Sequence, residues 1–342
     1  MLSVKPIIGI TMGDPAGIGP EVAAKTMAKK RIYDICRPLI VGDANAMKQA
    51  VKLANVKLEI RSISELSEAK FEYGTVDVFD LKNVDMNQLE HGKISAMAGN
   101  AAFEAVKKVI ELALENKIHA TVTGPIHKES INLAGHHFAG HTEIYGHLTN
   151  TKNFAMLLVS ETLRVIHVST HVSIRQACDL VKKERVLKVI HLLNDACKQF
   201  GIETPRIGVA GLNPHASDGG LFGWEEEKEI IPAIEAAKAQ GLVVEGPLPP
   251  DILFPKAKGG GYDGCVAMYH DQGHIPFKYE GFIWNCELGK METIKGVNIT
   301  LGIPIIRVSV DHGTAFEIAG LGIAKADSLV SAIEYASKMA KR

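Results

Sequence analysis

Pro6-Ile7-Ile8-Gly9-Ile10-Thr11-Met12-Gly13-Asp14-Pro15-Ala16-Gly17-Ile18-Gly19-Pro20-Glu21 is the stretch that decides the fold class. Five mostly apolar residues, Ile7–Thr11, read as a strand buried on both faces, and a glycine-rich turn follows them. Pro20–Lys29 then reads as a helix with proline at its start, where a missing N–H costs nothing. Strand, tight turn and helix in that order open an α/β protein with a parallel sheet. The alternation continues outward. Pro38–Val41, Val56–Ile60, Val76–Phe79 and His119–Thr123 are strand candidates, as are Phe154–Val159, Leu163–Ser169, Arg206–Leu212, Tyr262–Met268 and Ile303–Val310. Between them, a helix begins after Asp43, a suitable N-cap. Ala101–Leu114 carries apolar residues at helical spacing (Phe103, Val106, Val109, Ile110, Leu114), and Glu184–Phe200, Glu225–Ala239 and Asp327–Met339 are further helices.

The chain has 342 residues, enough for about two domains. No Pro/Ser-rich linker divides it, so the chain is expected to cross between domains more than once. The division expected is 1–130 plus 311–342 as one α/β/α domain closed by the last helix, and 131–310 as the second. Lys+Arg number 38 and Asp+Glu 39, a net charge of −1. That balance speaks against nucleic-acid or anionic-membrane binding, which would need a clustered positive excess. No apolar stretch reaches the roughly 18 residues of a membrane span. Five scattered cysteines without a C-x-x-C point to a reducing cytoplasm rather than to disulfides or a thiolate zinc site.

Histidine number is the unusual count: 14 in all, with His127, His136, His137, His141, His147, His167 and His171 in one region. Ligands of open α/β sheets collect beyond the carboxyl ends of strands. Three strand candidates end in that way, at Thr170-His171, at Asn213-Pro214-His215 and at His270-Asp271. Three imidazoles at one sheet edge suit zinc or another borderline transition metal, with a position left for substrate. Taken singly, each histidine is more readily a loop cap, and the shared placement of the three shifts the balance. The turn Met12–Glu21 has Val22 where a dinucleotide fingerprint needs its third glycine, so a phosphate cradle and a plain packing turn compete there. Lys278 and Arg307 are candidate anion-binding cations, the second inside an apolar strand where a guanidinium demands an anionic partner. Asp251 and Asp271 are candidate acid–base groups.

The sequence resembles the 4-hydroxythreonine-4-phosphate dehydrogenase (PdxA) family nearly end to end. The likeness is carried by Gly13-Asp-Pro-Ala-Gly-Ile-Gly-Pro-Glu21, Thr123-Gly-Pro125, Gly140-His-Thr-Glu143, Thr170-His171 and Gly211-Leu-Asn-Pro-His-Ala216. It continues through Met268-Tyr-His-Asp-Gln-Gly273, Val297-Asn-Ile-Thr-Leu-Gly302 and Asp311-His-Gly-Thr-Ala315. The resemblance implies two α/β/α domains of the isocitrate/isopropylmalate dehydrogenase type and NAD (or NADP) bound without the Rossmann fingerprint. It implies a divalent metal, zinc first and cobalt, manganese or magnesium as alternatives, on His171, His215 and His270. It implies substrate contacts at His141, Thr142, Lys278, Asn298 and Arg307, with Asp271, Asp251 and Lys278 in catalytic roles. It also implies a homodimer with the site at the subunit interface, so the three ligands need not come from one chain.

The activity implied is oxidation and decarboxylation of a 4-phosphorylated 3-hydroxy acid, 4-hydroxythreonine 4-phosphate giving 3-amino-2-oxopropyl phosphate. One departure bears on the substrate. Residues 283–296, with Trp284 and Cys286, are inserted after Lys278, and Gly273-His274-Ile275-Pro276-Phe277 precedes it. Both are more similar to a sister branch acting on 4-phospho-D-threonate or 4-phospho-D-erythronate and yielding dihydroxyacetone phosphate. More distant readings are a metal-dependent hydrolase or acyltransferase on a related α/β scaffold, and a catalytically silent sensor of phosphorylated ligands.

Overall fold

The computed structural model describes residues 5–286, 290–294 and 296–341. Its strands, numbered along the chain, begin with β1 (Ile7–Thr11), β2 (Arg37–Gly42), β3 (Glu59–Ile63), β4 (Thr75–Asp80) and β5 (Ala120–Thr123). They continue with β6 (Ala155–Val159), β7 (Arg164–His167), β8 (Arg206–Ala210), β9 (Val243–Leu248) and β10 (Gly264–Ala267). The last are β11 (Phe282–Asn285), β12 (Lys290–Ile294), β13 (Val297–Leu301) and β14 (Arg307–Val310).

Two compact units partition the chain, residues 1–152 with 303–342, and residues 153–302. Segments 131–152 and 303–310, expected in the second domain, therefore lie in the first unit. The chain passes from the first to the second and back, as the missing linker implies.

In the first unit the strand order is β3-β4-β2-β1-β5-β14, every neighbouring pair parallel. Ile7, Leu39 and Val41 face Ala105, Val109 and Leu112 of the helix Ala96–Leu114. Strand alternation turns Ile8, Ile10 and Ile40 to the opposite face. They too are 0% exposed, so both faces of the sheet are covered. Gly9 has a specific reason to lack a side chain: a Cβ there would lie 2.5 Å from Ile118 Cδ1.

Gly99 is the tightest point between two helices of this unit. A methyl there would lie 2.0 Å from the Ser130 carbonyl oxygen, a backbone atom that cannot rotate away. Gly99→Ala improves helix propensity by about 1 kcal/mol, while overpacking against backbone costs about 1–3 kcal/mol or more. The clash is expected to win, lowering stability by about 2 kcal/mol in urea unfolding. Unchanged or higher stability would contradict this packing.

The second unit is mixed, in the order β13-β6-β7-β10-β8-β9. β13, β6 and β7 pair antiparallel, whereas β7, β10, β8 and β9 run parallel. Its core gathers Leu163, Val165, Leu253, Phe254, Tyr262 and Phe277. The inserted segment contains most of a separate antiparallel hairpin, β11–β12. Residues 287–289 and 295 of that segment lie outside the described residues.

Several expected bounds shift. Ile303–Val310 is a strand only from Arg307, since Pro304 cannot donate to a ladder. Val56–Ile60 is displaced to Glu59–Ile63, and the helix expected at Glu225–Ala239 opens with a π-turn, Glu226–Ile230.

Candidate active site

The parallel run β7-β10-β8-β9 sends four connections out at one edge of the second unit. They carry His171 after β7, His270 after β10, His215 after β8 and Asp251 after β9. At about 4.8 Å per strand, neighbouring connections start within side-chain reach of each other. The first two are bound together at once. Val168 N donates to Ala267 O (2.8 Å), and Ser169 Oγ donates to Met268 O (3.0 Å).

His171 and His270 consequently face one another with ring centres 5.9 Å apart. Two imidazoles sharing one ion at ~2.0–2.1 Å place their ring centres roughly 5–6 Å apart, so this pair fits a divalent transition metal. A cavity of about 430 Å³ lies against them, lined also by Thr170, Ser173, Tyr269 and Asp271.

His270 is held on two sides. Its Nδ1 lies 2.7 Å from Asp271 Oδ1, so an N–H donated there leaves the Nε2 lone pair facing outward as an acceptor. His274, one turn along the helix His270–Gly281, stacks on the His270 ring at 3.7 Å and 9°. His167 follows at 4.7 Å from His274. Burial pushes His274 down to about 4 and His167 down to about 3, so both imidazoles are neutral at physiological pH. Gly273 makes this row possible, because a Cβ there would sit 2.4 Å from His167 Nε2. Neither His167 nor His274 was singled out from sequence. The i, i+4 spacing from His270 was the available signal for His274.

His215 does not complete a ready-made triad. Among the described residues no three His, Cys, Asp or Glu side chains are grouped to hold a metal ion. The lateral strand order is the reason: β8 lies two places from β7, beyond β10. His215 is exposed on a left-handed run, His215 to Asp218 having φ of 54°, 53°, 71° and 46°. Asp251 is exposed at the start of the helix Pro250–Lys258. Lys278 is exposed two turns after His270, and Asn298 is half-buried on β13.

The first unit holds a second polar centre. Arg307 opens β14 opposite Thr121 of β5 and is 2% exposed. Its Nη2 donates to Thr123 Oγ1 (3.1 Å), and its guanidinium lies 5.4 Å from the Tyr145 ring. Tyr145 is fully buried and donates to Thr121 Oγ1 (2.9 Å). Burial pulls Arg307 down to about 10. His141 and Thr142 start the helix His141–Leu148. Burial, and then the Arg307 charge, hold His141 well below its ordinary value. His141 Nε2 is a buried ring nitrogen with no hydrogen-bond partner among the described residues. A guanidinium and an unpartnered imidazole nitrogen form a receptacle for a phosphate or carboxylate oxygen. Tyr145, missed from sequence, is the i+4 neighbour of His141.

The glycine-rich turn is not a phosphate cradle. Residues 11–20 are all buried, and five of the seven N–H groups from Met12 to Gly19 are used internally. Met12, Asp14, Gly17 and Ile18 donate to Val41 O, Pro125 O, Asp14 O and Thr314 O, and Ala16 N donates to Asp14 Oδ1 (2.9 Å). A Cβ on Gly19 would lie 2.3 Å from Met12 O, so this is a packing turn.

Asp14 is 0% exposed within the turn. Burial pushes its carboxyl up to about 6, opposed by the Ala16 N–H and His127. Its folded value lies above the unfolded one, so the native state binds the extra proton between them. Stability is therefore full below pH ~4 and declines by about 3 kcal/mol as pH rises to about 6. Asp14→Asn keeps the acceptor for Ala16 and has no such decline. Its stability relative to wild type should be about 2–3 kcal/mol more favourable at pH 7 than at pH 4, read from urea unfolding. A pH-independent difference would contradict the buried titration.

No described helix is long and apolar enough to cross a membrane. Residues 34–336 match the family described as pyridoxal phosphate biosynthetic protein PdxA. A putative D-threonate 4-phosphate dehydrogenase of Oceanobacillus iheyensis is 47% identical over 341 residues, 99% of each chain. Crystal structures of 4-hydroxythreonine-4-phosphate dehydrogenases align with the chain over 98% or more of its length and 100% of theirs. The one from Klebsiella pneumoniae has TM-score 0.85 at 43% identity, and the one from Burkholderia phymatum 0.83 at 45%. With these relatives come the isocitrate/isopropylmalate dehydrogenase-like fold and, in general terms, a nicotinamide hydride acceptor and a metal. Fold, sheet-edge histidines and full-length likeness together make this chain a member of the PdxA family, an enzyme of the dehydrogenase class.

Proposed function

We propose that the protein is an NAD- and divalent-metal-dependent dehydrogenase that oxidises and decarboxylates 4-phospho-D-threonate or its C2 epimer 4-phospho-D-erythronate, giving dihydroxyacetone phosphate. The observation that carries the chemistry is the delivery of His171, His270, His215 and Asp251 to one edge of a parallel sheet. The substrate is favoured by the names of curated relatives at 44–47% identity and by the hairpin β11–β12 after Lys278.

His171, His215 and His270 hold the metal in this proposal, with zinc preferred by an imidazole donor set. A cation held there would supply Lewis acidity to the substrate's oxygen atoms, and a bound nicotinamide would supply the hydride acceptor. Asp271 is committed to His270, which leaves Asp251 to take the C3 hydroxyl proton while hydride leaves C3. CO₂ departs from C1, and Lys278, on the same helix face as His270, returns a proton to C2. Arg307, His141 and Thr142 grip an anionic end of the substrate, and Asn298 a polar group. Both acids share their configuration at C3, the carbon that loses hydride.

A homodimer accommodates the separation of His215 from the His171–His270 pair, since ligands can then come from two chains. Exposed Val172 and Ile174 at the cavity rim support it. The scattered free cysteines support a cytoplasmic setting.

4-Hydroxythreonine 4-phosphate is the second reading, favoured by the descriptions of the solved structures. NADH absorbance with the three phosphorylated acids in parallel separates the two. Turnover of the hydroxy acids at much the higher kcat/KM is expected, and turnover of the amino acid alone overturns the choice.

A further inference from the structure

Two of the loops assigned to the metal are fastened by buried side chains other than the histidines. Glu226 is 2% exposed and begins the π-turn Glu226–Ile230, an irregularity that recurs at functional sites. Its Oε1 accepts from the N–H groups of Leu212 and Asn213, both at 2.7 Å, and its Oε2 accepts from Asn213 Nδ2 at 2.8 Å. Those residues lead directly into Pro214-His215. The left-handed run that follows persists only where its surroundings over-determine it. Ser217 Oγ, donating to Gly223 O at 2.6 Å, fixes its far side. Gln272 completes the link. It is 8% exposed, accepts from Met268 N (2.7 Å) just before His270, and donates to Gly211 O (2.7 Å) just before Leu212.

We propose that Glu226 and Gln272 are positioning residues, a buried polar clasp that orders the His215 and His270 loops, whichever subunit's centre each serves, before any cation arrives. The proposal rests on the metal-centre reading above. A carboxylate accepting three hydrogen bonds is among the stronger neutralisers of backbone N–H groups. Loops ordered in advance lose less freedom on binding, so the clasp should appear as metal affinity rather than only as stability.

Hydrogen exchange on metal-free and Co²⁺-loaded wild type tests the ordering, and Co²⁺ titration with visible spectra tests its consequence. The expected result is slow exchange of the Leu212, Asn213 and Met268 amides already without metal. Glu226→Gln, which turns a donor toward Asn213 Nδ2, and Gln272→Met, which removes both bonds, should weaken Co²⁺ binding roughly 10–100-fold and alter its spectrum. Fast exchange of those amides until Co²⁺ is added overturns the clasp whether or not either variant folds. So does a folded Glu226→Gln protein with wild-type affinity and spectrum. Wild type that binds no stoichiometric Co²⁺ overturns the metal reading instead, and the exchange pattern still judges the clasp.

Discussion

Replacing His171 with alanine is expected to abolish stoichiometric divalent-metal binding and to lower kcat by about three orders of magnitude or more, with the fold unchanged. The two halves of that expectation have different origins. His171 is exposed beyond the end of β7 and contributes no core packing, so truncation leaves the sheet and its covering helices intact. Its ring sits opposite His270 at 5.9 Å, the separation of two imidazoles on one ion. Loss of one of the three proposed protein ligands should remove most of the site's affinity, and with it several kcal/mol of stabilisation of developing negative charge. At 1.36 kcal/mol per tenfold, about 4 kcal/mol is a thousandfold in rate. Equilibrium dialysis with metal analysis, circular dichroism and NADH production on the same sample check each part. Full activity at wild-type metal content would remove His171 from the centre.

Arg307→Met should separate function from stability in the first unit. The guanidinium is buried beside Tyr145 and Thr123, and burial pulls it below its ordinary value to about 10. A folded value below the unfolded one means that the charged native form carries a penalty at every pH below about 10. That lowering corresponds to about 3 kcal/mol. A packed methionine carries no such penalty, and buried charges replaced by apolar groups are often neutral or stabilising. The melting temperature should therefore hold or rise. The same change should raise KM for the phosphorylated acid by about two orders of magnitude, because a charge-assisted contact to an anion in a desolvated site is worth about 2–5 kcal/mol. Arg307→Lys should recover little, since a point charge cannot reproduce the planar fork. A large fall in melting temperature with unchanged KM would make Arg307 a structural residue only.

Much of the fold was legible because its strands are fully buried. Ile7–Thr11 and Phe154–Val159 read as near-continuous apolar runs, and Asp43 caps its helix through Asn45 N and Ala46 N as its type suggests. Two strands were less legible. β9 begins with exposed Val243 and contains Gly246-Pro247, which reads as a loop, and β13 was read as a motif without its strand. The candidate ligands were visible as histidines following strands. Their grouping was not, because lateral strand order is a tertiary property: it joins His171 to His270 and sets His215 farther along the edge. The supports of the site, His274 under His270 and Tyr145 under Arg307, are recoverable from i, i+4 spacing once the helices are known. The left-handed path through His215 left no mark in a sequence that has no glycine within the run itself.

The most direct measurement is anomalous diffraction at the metal edge from Co²⁺- or Zn²⁺-loaded crystals of the full chain. The account predicts one peak within about 2.0–2.2 Å of the Nε2 atoms of His171 and His270 and of a ring nitrogen of His215, from one subunit or two. A peak bound elsewhere, or none at those imidazoles in active crystals, would contradict it.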